Sequence, residues 1–160
     1  MSIAFVLGNG LSRKPIPLDP LQQFGKVYAC NAVYRTYTPN YLVAVDAKMI
    51  NEICTAGAQL KIPVWTNPNR AYKKYPGLNF FEPSLGWSSG PTALWLASKN
   101  MHPLVFLLGF DFTGTSEGKL NNIFGDTPNY KKNSDTATYH GNWKRQTSII
   151  LQKNPLKRYI

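Results

Sequence analysis

A glycine-bracketed asparagine, Gly8-Asn9-Gly10, stands directly after the apolar run Ile3–Leu7, and Ser12 follows two residues on. The two glycines let the backbone turn sharply and approach a ligand closely. Three more polar residues repeat the placement: Asn31 after Val27–Cys30, Asp46 after Tyr41–Val45, and Asp111 just after Leu104–Leu108. If these runs are parallel strands, all four side chains project from one carboxyl edge, where open α/β sheets bind ligands. Amides, carboxylates and loop N–H groups there can hold phosphate, ribose or base. A fifth feature, Ser88-Ser89-Gly90 ahead of a helical segment, offers a helix start to the same edge. The third glycine of a dinucleotide fingerprint would fall at position 13, which is Arg13; a standard NAD site is therefore excluded.

These residues need elements to carry them, and the hydrophobic pattern supplies alternating strands and helices. Beyond the runs above, Ile62–Trp65 and Leu78–Phe81 read as short strands. Lys48–Ala58 keeps helical spacing through Met49, Ile50, Ile53 and Cys54, and Pro91–Asn100 reads as a second helix. The alternation predicts a single α/β domain of Rossmann-like type, with a mostly parallel sheet and helices on both faces. Residues 1–112 form its core. Residues 113–142 are polar, weakly periodic and rich in Gly, Ser, Thr, Asn, Asp and Tyr, which predicts a lid loop over the ligand edge. Residues 143–160 then give a helix over Trp143–Leu151 and a basic tail.

At 160 residues, 43% apolar and 13% aromatic, the chain can build one proper core. Eighteen Lys and Arg against eight Asp and Glu give a net +10. That balance favours an anionic partner such as a nucleotide, a nucleotide sugar, a charged acceptor or a nucleic acid. The densest basic cluster is Lys131, Lys132, Lys144, Arg145, Lys153, Lys157 and Arg158. Cys30 and Cys54 lie apart in apolar contexts, which reads as reduced core thiols in a cytoplasmic protein. No apolar stretch reaches the roughly 18 residues a membrane span needs.

Several chemistries lack their residues. No Cys or His pair has zinc spacing, no phosphate-binding Gly-x-x-x-x-Gly-Lys loop occurs, and Ser88-Ser89-Gly90 is not a Gly-x-Ser-x-Gly elbow. No RNA-recognition signature is present, although charge and aromatic content leave nucleic acid open. His102, before Pro103 at a helix-to-strand junction, reads as structural.

Four strings taken in order carry a family resemblance: Val6-Leu7-Gly8-Asn9-Gly10-Leu11-Ser12, Tyr28-Ala29-Cys30-Asn31-Ala32, Pro39 to Asp46, and Trp87 to Ala93 followed by Phe106 to Phe112. Together they resemble the bacterial CMP-sialic-acid-dependent sialyltransferases. They equally resemble the related archaeal-type hydroxymethylpterin pyrophosphokinases. The resemblance implies a nucleotide pocket in which Asn9 and Asn31 hold phosphate and sugar, and Ser89 with Gly90 meets the cytidine. Tyr130 and Tyr139 lie where sialyltransferases grip the leaving phosphate. Asp46 stands where those enzymes have asparagine and suits the pyrophosphokinase side, with Mg²⁺ or a ribose as its partner. The sialyltransferase histidine follows a Tyr-x-Gly turn, whereas here His140 precedes Gly141, so His140 would serve as general base from a displaced position. Three readings stand: a sugar transferase using a CMP-type donor, a non-catalytic protein that keeps the pocket, and a pyrophosphokinase-like enzyme.

Overall fold

The computed structural model describes residues 2–160. Seven strands form one sheet: β1 (Ile3–Leu7), β2 (Lys26–Cys30), β3 (Tyr41–Val43), β4 (Val64–Thr66), β5 (Leu78–Phe80), β6 (Leu104–Leu108) and β7 (Arg158–Tyr159). Their order is β5-β4-β3-β2-β1-β6-β7 and every pairing is parallel. The chain steps outward from β1 to β5, then returns to the other side of β1 for β6. The crevice between β1 and β6 is thus the point where strand order reverses, the preferred ligand position in such sheets.

Alternation along the strands sends Phe5, Leu7, Val27, Ala29 and Leu42 to one face and Ala4, Val6, Tyr28, Cys30 and Val43 to the other. Helix α1 (Ala47–Thr55) covers the first face through Met49, Ile50 and Ile53, while α2 (Ser89–Lys99) and α3 (Gly141–Lys153) cover the second through Leu94, Ala97 and Ile150. Full burial of Ile50 and Ile53 contributes about 1.5–3 kcal/mol each. The expected single Rossmann-like domain, helices on both faces, is what the chain builds.

Differences from the expected boundaries have local causes. The first helix ends at Thr55 and does not reach Ala58, because Gly57 adopts a left-handed φ of 72° and stops it. Pro63 has no N–H to give the ladder, so β4 starts at Val64. The third strand stops at Val43, since the Val45 N–H donates to Ser89 Oγ (3.1 Å) and not to a neighbouring strand. Helix α2 begins at Ser89, two residues before Pro91, which the first turn tolerates. The basic tail is not merely a tail: Arg158 and Tyr159 pair with Leu104 and Val105 as the edge strand.

Residues 113–140 contain no helix and only one isolated antiparallel bridge, Lys119 with Thr136, whereas Gly141 and Asn142, expected in the lid, already form the first turn of α3, two residues ahead of the expected start at Trp143. Residues 113–140 are nonetheless docked. Phe124 is buried in the α1-side core, and the Ile123 N–H donates to the Asn9 carbonyl at 2.8 Å. Cys30 and Cys54 are both free and buried, and burial pushes each thiol pKa up. Among the described residues, no helix is long and apolar enough to cross a membrane.

Candidate functional site

At the carboxyl edge, over the β1/β6 crevice, lies a cavity of about 580 Å³. Of the residues expected to form a site, Gly8, Asn9, Gly10, Asn31, Asp46, Ser88, Ser89, Gly90 and Asp111 all line it. They come from the ends of three adjacent strands, the β6 exit and the start of α2, so the parallel topology alone brings them together. Ser12 is outside the lining but binds Asp111, which accepts from both its N–H (3.2 Å) and its hydroxyl.

The glycines are required by the crossing of two loops. A Cβ on Gly8 would lie 2.5 Å from the Gly109 carbonyl oxygen, and one on Gly10 would overlap the Asp111 carboxylate. Asn9 is also held by the protein itself. Its amide nitrogen donates to the Cys30 carbonyl at 3.3 Å, and its oxygen accepts from Arg13 at 3.1 Å, so the side chain ties the β1 exit to the β2 exit. Ser89 is likewise engaged, its hydroxyl accepting from Val45. The Ser88 N–H donates to Gln146 Oε1 of α3 at 3.0 Å, which fixes the N-terminus of α2 against the cavity wall. Gly90 leaves open space there, its nearest foreign atom to a built Cβ being a Phe110 ring carbon at 3.9 Å.

Asn31 is the polar group left waiting. It holds a left-handed φ of 54°, and its buried Oδ1 has no hydrogen-bond partner. Asparagine adopts this left-handed conformation more readily than other non-glycine residues. Asn67, immediately after β4, also lines the cavity with a buried, partnerless Oδ1. It was missed in the sequence because the strand before it is three residues long and a proline follows, yet it repeats the pattern of Asn31. Also missed were Trp87 and Trp143 in the wall, aromatic residues whose placement depends on the packing of α3 against α2.

The cavity's charge runs against the chain's. Among the described residues lining it, two are carboxylates, Asp46 and Asp111, and none is Lys, Arg or His. The N-terminus of α2 supplies the positive potential. Asp111 is held by Ser12, so Asp46 is the cavity carboxylate with no hydrogen bond from the protein. A Mg²⁺ ion there would bind Asp46 and take its remaining ligands from phosphate and water. Among the described residues, no group of three or more His, Cys, Asp or Glu could hold a metal ion.

A smaller cavity of about 310 Å³ adjoins the first, sharing Asn31 and Asp46 and adding Lys48, Met49 and Tyr130. Tyr130 is packed on Phe124, its hydroxyl accepts from the Ala32 N–H at 3.4 Å, and burial raises its pKa. Tyr139 and His140 reach neither cavity. Tyr139 is 75% exposed, and its ring stacks on His140 at the N-terminus of α3. From that helix, Asn142, Trp143 and Gln146 face the cavity in their place. His102 is structural as expected: buried, with Ser2 on Nδ1 (2.7 Å) and Tyr28 on Nε2 (2.8 Å). No family model, curated protein or solved structure matches the chain.

Proposed function

We propose that the chain binds a nucleotide or nucleotide sugar in the large cavity, with Asn31 and Asn67 accepting from the base or sugar and the α2 N-terminus meeting a phosphate. The observation that carries this reading is that two amides lining one cavity at the strand-order reversal, Asn31 and Asn67, each keep a buried side-chain oxygen without a protein partner. Buried acceptors are normally satisfied, and a ligand's hydroxyl or amino group would satisfy these. Trp87 and Trp143 add flat apolar surface for a base or sugar ring. Calorimetry against a panel of nucleotides and nucleotide sugars tests it. Binding should weaken by about 1–3 kcal/mol in Asn31→Ala and in Asn67→Ala. No heat with any member, or equal affinity in both variants, sinks the reading.

A transferase reading has its own support in Asp46, an unengaged carboxylate shared by both cavities. In this reading the donor occupies the large cavity and the acceptor hydroxyl enters from the small one. Asp46 takes the hydroxyl proton as the oxygen bonds to the sugar's anomeric carbon and the nucleotide phosphate leaves with the electron pair. Asp46→Asn should then cut transfer by about 10²–10⁴ with binding kept. His140→Ala should leave transfer unchanged, and the reverse result would return the role of base to the histidine.

A further inference from the structure

We infer that the amino edge of the sheet, opposite the cavity, docks on an anionic phospholipid surface. Four of the most exposed large apolar side chains stand in the segments that enter strands: Phe24 (65% exposed) before β2, Leu60 (67%) before β4, Met101 (92%) before β6 and Leu156 (95%) before β7. Contacts confirm that each lies at this edge. Gly25, next to Phe24, abuts Ile3 at the start of β1; Leu60 lies beside Gly77 at the entrance to β5. His102, next to Met101, bonds Ser2, and the Arg158 N–H donates to the Pro103 carbonyl at 2.8 Å. Parallel strands are about 4.8 Å apart, so from Leu60 to Leu156 the row extends about 24 Å along the edge.

Charge is matched to the row. Lys26, Lys61, Lys99, Lys153, Lys157 and Arg158 flank these residues, and Asp19 is the one carboxylate in the segments entering the strands. Six of the eight acids, by contrast, lie in segments leaving strands at the other edge, Asp46 and Asp111 among them. Met101 and Leu156 are also held together: the Lys157 ammonium donates to the carbonyls of Asn100 and His102, both at 2.7 Å, on either side of Met101. Projecting aliphatic tips, each beside a cation, suit a bilayer interface, where apolar groups enter the acyl boundary and lysines meet anionic headgroups. A nucleic acid would use the cations and leave three aliphatic side chains without a role. Docked this way, the protein would present its cavity away from the lipid.

The test is co-sedimentation with phosphatidylcholine vesicles, with and without about 30% phosphatidylglycerol. The parent chain should bind the anionic vesicles and bind neutral ones far more weakly. Met101→Asp with Leu156→Asp should lower that binding by at least about tenfold with the thermal midpoint unchanged, since both side chains project into solvent. Leu156→Trp should show a blue-shifted emission on adding anionic vesicles. Binding by the double variant equal to the parent's means that charge alone is at work and overturns the proposal, as does no binding at all. Self-association or binding to a DNA duplex that the double variant abolishes, with no vesicle-dependent shift in Leu156→Trp, assigns the edge to that partner instead.

Discussion

Arg13 Nη2 donates to Asn9 Oδ1 across 3.1 Å while its Nε donates to the Gly8 carbonyl at 2.8 Å, so a buried guanidinium clamps the loop that the two glycines open. Burial lowers the Arg13 pKa, yet an arginine stays protonated. Arg13→Ala leaves the Gly8 carbonyl and the Asn9 oxygen without their donors and empties a buried site. It should lower unfolding free energy by about 2–4 kcal/mol. Urea denaturation followed by fluorescence reads this directly, and a change below about 1 kcal/mol would show that the clamp is dispensable.

Gly8 and Gly109 cross so closely that neither tolerates a side chain. A Cβ on Gly109 would lie 2.6 Å from the Gly8 carbonyl oxygen, and its φ of 76° is a second obstacle. Gly109→Ala should cost about 1–3 kcal/mol from backbone strain before the clash is counted. Ligand binding in the cavity should fall with it, because the two loops form its floor. Thermal unfolding and calorimetry on one sample check both halves.

His102 makes stability depend on pH in a defined direction. Burial first, then the nearby charges of Lys157 and Lys26, lower its pKa. Asn100 donates to the Tyr28 hydroxyl at 2.6 Å, and that hydroxyl in turn bonds His102 Nε2 while Ser2 bonds Nδ1, so both ring nitrogens are engaged in the folded protein. A histidine with a depressed folded-state pKa adds stability that is complete above its ordinary value of about 6.5 and is lost as pH falls through the folded-state value. Unfolding free energy should therefore drop as the pH falls below about 6.5. His102→Gln should flatten that part of the profile.

Arg35 fastens the polar segment 113–142 to the body of the protein. It donates to Glu52 Oε2 at 3.0 Å, to Thr127 Oγ1 at 2.8 Å and to the Pro128 carbonyl at 2.8 Å, while Asn129 reaches the same glutamate. Arg35→Ala should speed proteolysis within 113–142 several-fold with little effect on the rest of the chain. Burial pushes the Glu52 carboxyl pKa up, but hydrogen bonds from Arg35, Tyr34 and Asn129 outweigh it and hold the pKa low. A depressed carboxyl contributes above its ordinary pKa and loses that contribution as pH falls through the folded-state value. Hydrogen exchange in this segment, corrected for intrinsic rates, should accordingly rise in acid.

Nearly the whole cavity floor was legible in the order of residues along the chain. A polar residue directly after an apolar run needs only a parallel sheet to reach the ligand edge, and Gly8, Asn9, Asn31, Asp46 and Asp111 all arrive there for that reason. What each side chain does was not legible. Asn9 and Asn31 carry the same amide after similar strands, yet Arg13 and the Cys30 carbonyl engage Asn9 while Asn31 keeps a bare oxygen.

The amino-acid sequence by itself determined the architecture, because strand alternation, helical spacing and strand-end polar residues are local signals that one short window contains. Tertiary structure decided the walls and the charge of the site. Trp87, Asn67, Trp143 and Gln146 meet only because α3 packs on α2 and β4 lies two strands from β2, separations no window spans. The same packing leaves Tyr139 and His140 outside the cavity and turns the basic tail into an edge strand. Net charge sums over the chain without regard to place, whereas a ligand meets only the groups that folding sets around it; a chain of +10 thus encloses a cavity where, among the described residues, the charged side chains are both carboxylates.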